Sequence, residues 1–189
     1  MGFLDALLGR RKLKAPAPDR LFAIATAAVT LDTSHGIRTR GAAAIVFQPL
    51  ATEDFRQIAT DMEEVVRGTG DETGTKLETV DDTYGYRWMV FRDPDVEDLA
   101  VAVNAVTDAL ALGGYAERVL CSVFAFEDSA GPVYFIYNYK RGSWYPFAPA
   151  AGEQQRSTER ELQVKAKIGA ELPLEPELER WFPLWGIPI

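Results

Sequence analysis

The sequence predicts an α+β fold, a single domain with a mainly antiparallel sheet built from ββα units and helices packed on one face. Two observations carry this. Short apolar strands come in pairs joined by turns, and amphipathic helices follow the pairs. No run of alternating single strands and helices is visible, and that pattern would have argued for a parallel sheet. A chain of 189 residues, 47% of them hydrophobic, suits one domain with a real core.

Residues 1–12 read as a short amphipathic helix. Phe3, Leu4, Leu7 and Leu8 share one face, Gly9 can end it, and Arg10, Arg11 and Lys12 follow where the helix dipole favours cations. Two turns are too few to be stable alone, so the segment must dock on its own domain, a membrane surface or a partner. The myristoylation pattern fails at Ala6. Ala15-Pro16-Ala17-Pro18 is a stiff linker between this tip, residues 1–14, and the domain, residues 19–189. Asp19 can cap a helical turn over Arg20–Ala25, Ala28–Asp32 alternates weakly as a strand, and Thr33–Gly36 is a turn. Gly41–Gln48 is a strand apolar on both faces.

Thr52–Arg67 is the clearest helix, with Thr52 as its cap and Phe55, Ile58, Ala59, Met62, Val65 and Val66 as its stripe. Gly68 is expected to stop it, leaving 68–74 as an acidic loop. Lys76–Val80 and Tyr84–Arg92 form a hairpin. Asp93 caps the next helix with Pro94 at its first position, and Val96, Leu99, Val103, Val106 and Leu110 mark the buried stripe up to Gly113-Gly114. Val119–Glu127 and Val133–Lys140 are a second hairpin. Glu153–Ile168 is a polar helix with a thin stripe at Leu162, Ala166 and Gly169. The tail holds Trp181 and Trp185, which should pack on the domain.

The stretch 132–149 concentrates seven aromatic residues around Lys140 and Arg141. One reading is a core strand whose following loop folds back as a lid. The other is a partner- or ligand-binding surface made by Tyr139, Lys140, Arg141, Trp144, Tyr145 and Phe147.

Charge narrows the function classes. The net charge of −8 argues against nucleic-acid binding. Residues 1–14 carry four cations against Asp5, so a basic tip of +3 sits on a body of −11. One cysteine, Cys121, makes no internal disulfide, which mildly favours a cytoplasmic protein. No apolar run approaches a membrane span, and Pro16, Pro18 and Asp19 separate the cations from Leu21–Leu31 in the wrong layout for a signal peptide. His35 reads as a solvated turn residue beside Asp32, Thr33 and Ser34, since triads are built from distant segments. One histidine and one cysteine do not make the usual zinc patterns. Gly68–Gly74 follows a helix instead of opening one and carries acids where a phosphate would sit. The residues thus suggest no catalytic set, metal or cofactor.

Three segments resemble one family. Met-Gly-Phe-Leu-Asp-Ala-Leu-Leu-Gly-Arg at the start, Tyr-Lys-Arg-Gly-Ser-Trp-Tyr-Pro-Phe-Ala-Pro at 139–149 and Leu-Glu-Arg-Trp-Phe-Pro-Leu-Trp-Gly at 178–186 are similar to the PspA-associated protein family PspAB. The resemblance implies an accessory of phage-shock-type envelope-stress systems, found mainly in actinobacteria. It implies as partner a PspA-like protein, a coiled coil that binds stressed membrane, or an HtpX-like membrane metalloprotease. It carries over no catalytic residue. The expectation is therefore a non-enzymatic adaptor in the cytoplasm, with peripheral contact to anionic membrane through the tip. The alternative is a small-ligand sensor built on 139–149.

Overall fold

The computed structural model describes residues 18–189, so the expected tip (Phe3, Leu4, Leu7, Leu8, Arg10 and Arg11) lies outside the described residues. The elements run α1 (Pro18–His35), β1 (Arg38–Phe47), α2 (Glu53–Thr73), β2 (Lys76–Asp81), β3 (Arg87–Arg92) and α3 (Val96–Leu112). They continue with β4 (Val119–Asp128), β5 (Gly131–Asn138), β6 (Ser143–Phe147) and α4 (Thr158–Ile168). The six strands form one sheet in the order β2-β3-β1-β4-β5-β6, and every neighbouring pair is antiparallel. The α+β expectation holds, but the described fold opens with a helix and does not repeat a ββα unit three times.

The pleat sends alternate side chains to opposite faces. Ala43, Ile45 and Phe47 of β1 join the core under the helices, with Leu21, Ile24, Ala27 and Leu31 of α1 and Leu99, Val103, Val106 and Leu110 of α3. Ala42, Ala44 and Val46 point the other way, into a second core with Trp88, Val123, Ile136, Tyr145 and Phe147. None of α1 to α4 covers that face. The C-terminal tail does, with Trp181 and Ile189 buried and Leu184, Trp185 and Ile187 packed against them. The tail also closes the β6 edge, where the Trp144 amide donates to Pro173 O (2.9 Å) and the Glu175 amide to Trp144 O (2.8 Å).

Several local expectations are corrected. Ala28–Asp32 is not a strand and Thr33–His35 is not a turn, because α1 runs through both. Its buried positions 21, 24, 27 and 31 keep a helical period that the β-branched Val29 and Thr30 do not break. The helix ends where Gly36 takes φ +64° and its amide bonds to Asp32 O. The glycine-rich stretch 68–73 is not a loop but the last turns of α2, and Gly74 (φ +88°) ends the helix. A helical glycine costs only about 1 kcal/mol. Asp95, not Asp93, caps α3, its side chain accepting from the Glu97 amide (2.7 Å). Asp93 is turned inward to Thr75 Oγ1 (2.7 Å). β3 begins at Arg87, because Asp82 holds Tyr84 and Tyr86 in the turn. Finally, α4 starts at Thr158 and buries Glu161, Val164 and Ile168, while Leu162 faces out. A buried acid at Glu161 hid that phase.

Candidate functional site

The β5–β6 turn is fixed by its own polar groups. Asn138 O accepts the amides of Arg141 and Gly142, Asn138 Oδ1 accepts the Lys140 amide (3.1 Å), and Gly142 takes φ +63°. The turn is latched to the start of α1. The Trp144 indole Nε1 donates to Arg20 O (2.7 Å), and the Arg20 guanidinium donates to Gly142 O (3.0 Å). Arg20 lies two residues beyond Pro18, where the described fold begins. The N-terminal segment therefore joins the domain beside Lys140 and Arg141. Two regions far apart in sequence meet at one corner.

Within 139–149 the structure separates interior from surface. Trp144 is wholly buried in the helix-side core, 5.0 Å from the Tyr137 ring and 5.6 Å from Phe124. Tyr145 and Phe147 are buried on the tail side. Tyr145 stacks on Trp181 and donates its hydroxyl to Phe182 O (3.1 Å), and Phe147 meets Trp185 edge-on. Tyr139 is half-buried, and its hydroxyl sits 2.9 Å from Thr107 Oγ1 and 2.6 Å from Ser122 Oγ. Burial pushes the hydroxyls of Tyr139 and Tyr145 well above the usual phenol range. The expected loop that folds back as a lid is a strand, β6.

The two cations differ. Lys140 is exposed. Arg141 bonds the buried Glu175 carboxylate (3.0 Å) and lies 3.6 Å from Glu177. Burial alone would raise the Glu175 pKa. Bonds from Arg141, the Glu177 amide and Ser143 outweigh it and hold this carboxyl below its ordinary value. Arg141 is thus tied to the tail while staying exposed, and Lys140 and Arg20 are exposed beside it at the same corner.

Sequence reasoning missed two features. Arg156 forks onto the fully buried Glu161, which also accepts the Ala148 amide (3.0 Å), and Arg156 reaches on to Trp181 O. An aromatic cleft of about 220 Å³ opens on the tail side between Tyr84, Tyr86, Trp88, Leu120, Leu184 and Trp185. Tyr84, Leu120 and Phe182 are exposed large apolar residues on this side of the protein. Asp82 at the cleft is satisfied by the Trp88 indole (2.9 Å) and the amides of Tyr84 and Tyr86. A hairpin turn met by a distant tail leaves no local signal.

The residues considered for chemistry stay apart. Cys121 is buried, and burial pushes its thiol up to about 12. His35 ends α1, not a turn. Among the described residues, no group of three or more His, Cys, Asp or Glu could hold a metal ion, and no helix is long and apolar enough to cross a membrane.

The family model described as PspA associated protein B (PspAB) matches residues 1–189, the whole chain. The chain belongs to this family. No curated protein and no solved structure matches it. The family name associates the chain with PspA, and an accessory role agrees with that.

Proposed function

We propose that this protein is a non-enzymatic adaptor of a PspA-type envelope-stress response, and that it makes contact at the corner where residues 1–17 enter the fold. The observation that carries the reading is the latch between Arg20, Gly142 and Trp144. It brings Arg20, and with it the point where residues 1–17 join the fold, beside the exposed Lys140. The acidic body gives this basic corner an orienting role, since it repels an anionic surface everywhere else. The partner is a PspA-like protein or a membrane metalloprotease, with anionic lipid as an auxiliary contact in the cytoplasm.

The test is titration of the full chain against a purified PspA-like protein from the same genome and against anionic vesicles. Each removed cation should weaken a charge-driven contact by about 1 kcal/mol. Deleting residues 1–14 or introducing Lys140→Glu should lower affinity and its salt dependence while the fold stays intact. Affinity unchanged by both variants contradicts the proposal.

A second reading has its own observation. The aromatic cleft at Tyr84, Trp88 and Trp185 has the lining of a small apolar ligand site. It keeps the ligand-sensor alternative but moves it off 139–149, whose rings are filled by the protein's own chain.

A further inference from the structure

The helix layer contains an apolar groove that no described residue fills. Ile58 and Met62 of α2 form one wall, and Ala105, Val106, Ala109 and Leu112 of α3 form the other, around about 310 Å³. Gly113 closes one end, where an added Cβ would stand 2.5 Å from the Ile58 side chain. Leu112 is 89% exposed, the highest value among the exposed large hydrophobic residues of the described fold. Leu112 and the groove beside it make one contiguous apolar patch, the kind of surface that marks an interaction site.

We propose that the occupant is the protein's own N-terminal segment, residues 1–12. Three arguments converge. The segment carries four apolar residues on one helical face, Phe3, Leu4, Leu7 and Leu8, and is too short to hold a helix without a support. Charge is complementary. The helices α2 and α3 hold ten acidic and two basic residues, α3 has no Lys or Arg, and Asp61 lines the groove, whereas Arg10, Arg11, Lys12 and Lys14 follow the apolar face of the segment. The C-terminal end of α3 at the groove adds its own partial negative charge.

The length also fits. Tyr139 bonds Thr107 of α3, and three residues on Gly142 bonds Arg20 of α1, so the start of α1 and the last turns of α3 lie at the same end of the fold. Val106, next to Thr107, lines the groove on the far flank of α3. Crossing from α1 over α3 to that flank takes about one and a half helix diameters, ~15 Å. Residues 13–17 reach about 17 Å when extended. A membrane or partner surface would compete with the groove for the same four apolar side chains.

The inference stands apart from the adaptor reading, because it is tested on the full chain with no partner or lipid present. Hydrogen exchange of residues 2–9 is followed in the native sequence and in the double variant Ala105→Asn, Leu112→Asn. Both positions are exposed, so the fold should survive, and the melting temperature checks that it does. Exchange at least tenfold slower than in an unstructured peptide, restored to the unstructured rate in the variant, is the expected result. Exchange at the unstructured rate in the native sequence overturns the proposal. So does protection that the variant leaves untouched, which places the dock elsewhere. Protection that vanishes on dilution assigns the segment to a second copy and equally overturns it.

Discussion

The two faces of the sheet are closed by different means. On one face the helices pack apolar side chains onto the sheet, and within each helix the backbone is paired by the helix itself. On the other, a largely irregular tail does the covering, and apart from the turn at 177–181 it pairs few of its own carbonyls. Side chains do it instead. Tyr145 donates to Phe182 O, Tyr134 to Ile189 O (3.0 Å), and the Trp181 indole to Glu175 O (3.0 Å), with Arg156 on Trp181 O. This accounts for the Tyr and Trp side chains that crowd the late sequence and for Arg156 beside them. They are the fastening of a cover whose only regular element among the described residues is the short 3-10 turn Leu178–Arg180.

The comparison can be broken from either side. Trp144→Ala should have the largest effect, a loss of about 3–5 kcal/mol in chemical denaturation, because the ring is fully buried and its N–H holds α1. Trp181→Ala should cost about 3 kcal/mol, at the lower end, since a loosened tail can detach without unfolding the helix face. A Trp181→Ala cost equal to or above that of Trp144→Ala would show the two covers to be one unit. Tyr145→Phe removes only the bond to Phe182 O and should cost about 1 kcal/mol, with faster amide exchange confined to the tail.

Glu175 sharpens the contrast through pH. Its folded pKa lies below its ordinary value of 4.5, so the unfolded chain binds its proton more readily. Its contribution is fully present above that ordinary value and is lost as pH falls through the lower folded pKa. Glu175→Gln should flatten the acid side of the stability profile, and a profile that keeps its slope would rule this carboxylate out as the cause. The smallest effect is expected on the helix face. The buried Tyr137 hydroxyl has no hydrogen-bond partner among the described residues. Tyr137→Phe should therefore leave stability unchanged or raise it by up to about 1 kcal/mol, as thermal melting will read.

What the sequence made legible follows from the same contrast. The stripe of α3 at Val96, Leu99, Val103, Val106 and Leu110 was read correctly, because a helix face repeats and a repeat is visible locally. The pairing of β4 with β5 was visible for the same reason. The burial of Trp181 was expected from its size alone. The rest depended on distant contacts. Nothing near Trp144 announces that Arg20 caps its indole, and nothing near Glu161 announces Arg156 as its partner. The division of 139–149 into buried rings, a committed Arg141 and an exposed Lys140 was beyond local pattern.

Native-state hydrogen exchange of the full chain, with and without its PspA-like partner, tests the central claim most directly. That claim is that the aromatic stretch is interior and that contact is made at the corner beside it. The account predicts that the amides of Trp144, Tyr145 and Phe147 exchange only with global unfolding and do not change on binding, while amides near Arg20 and Lys140 slow. Fast exchange across 143–147 in the free protein, with protection appearing there on binding, would contradict it.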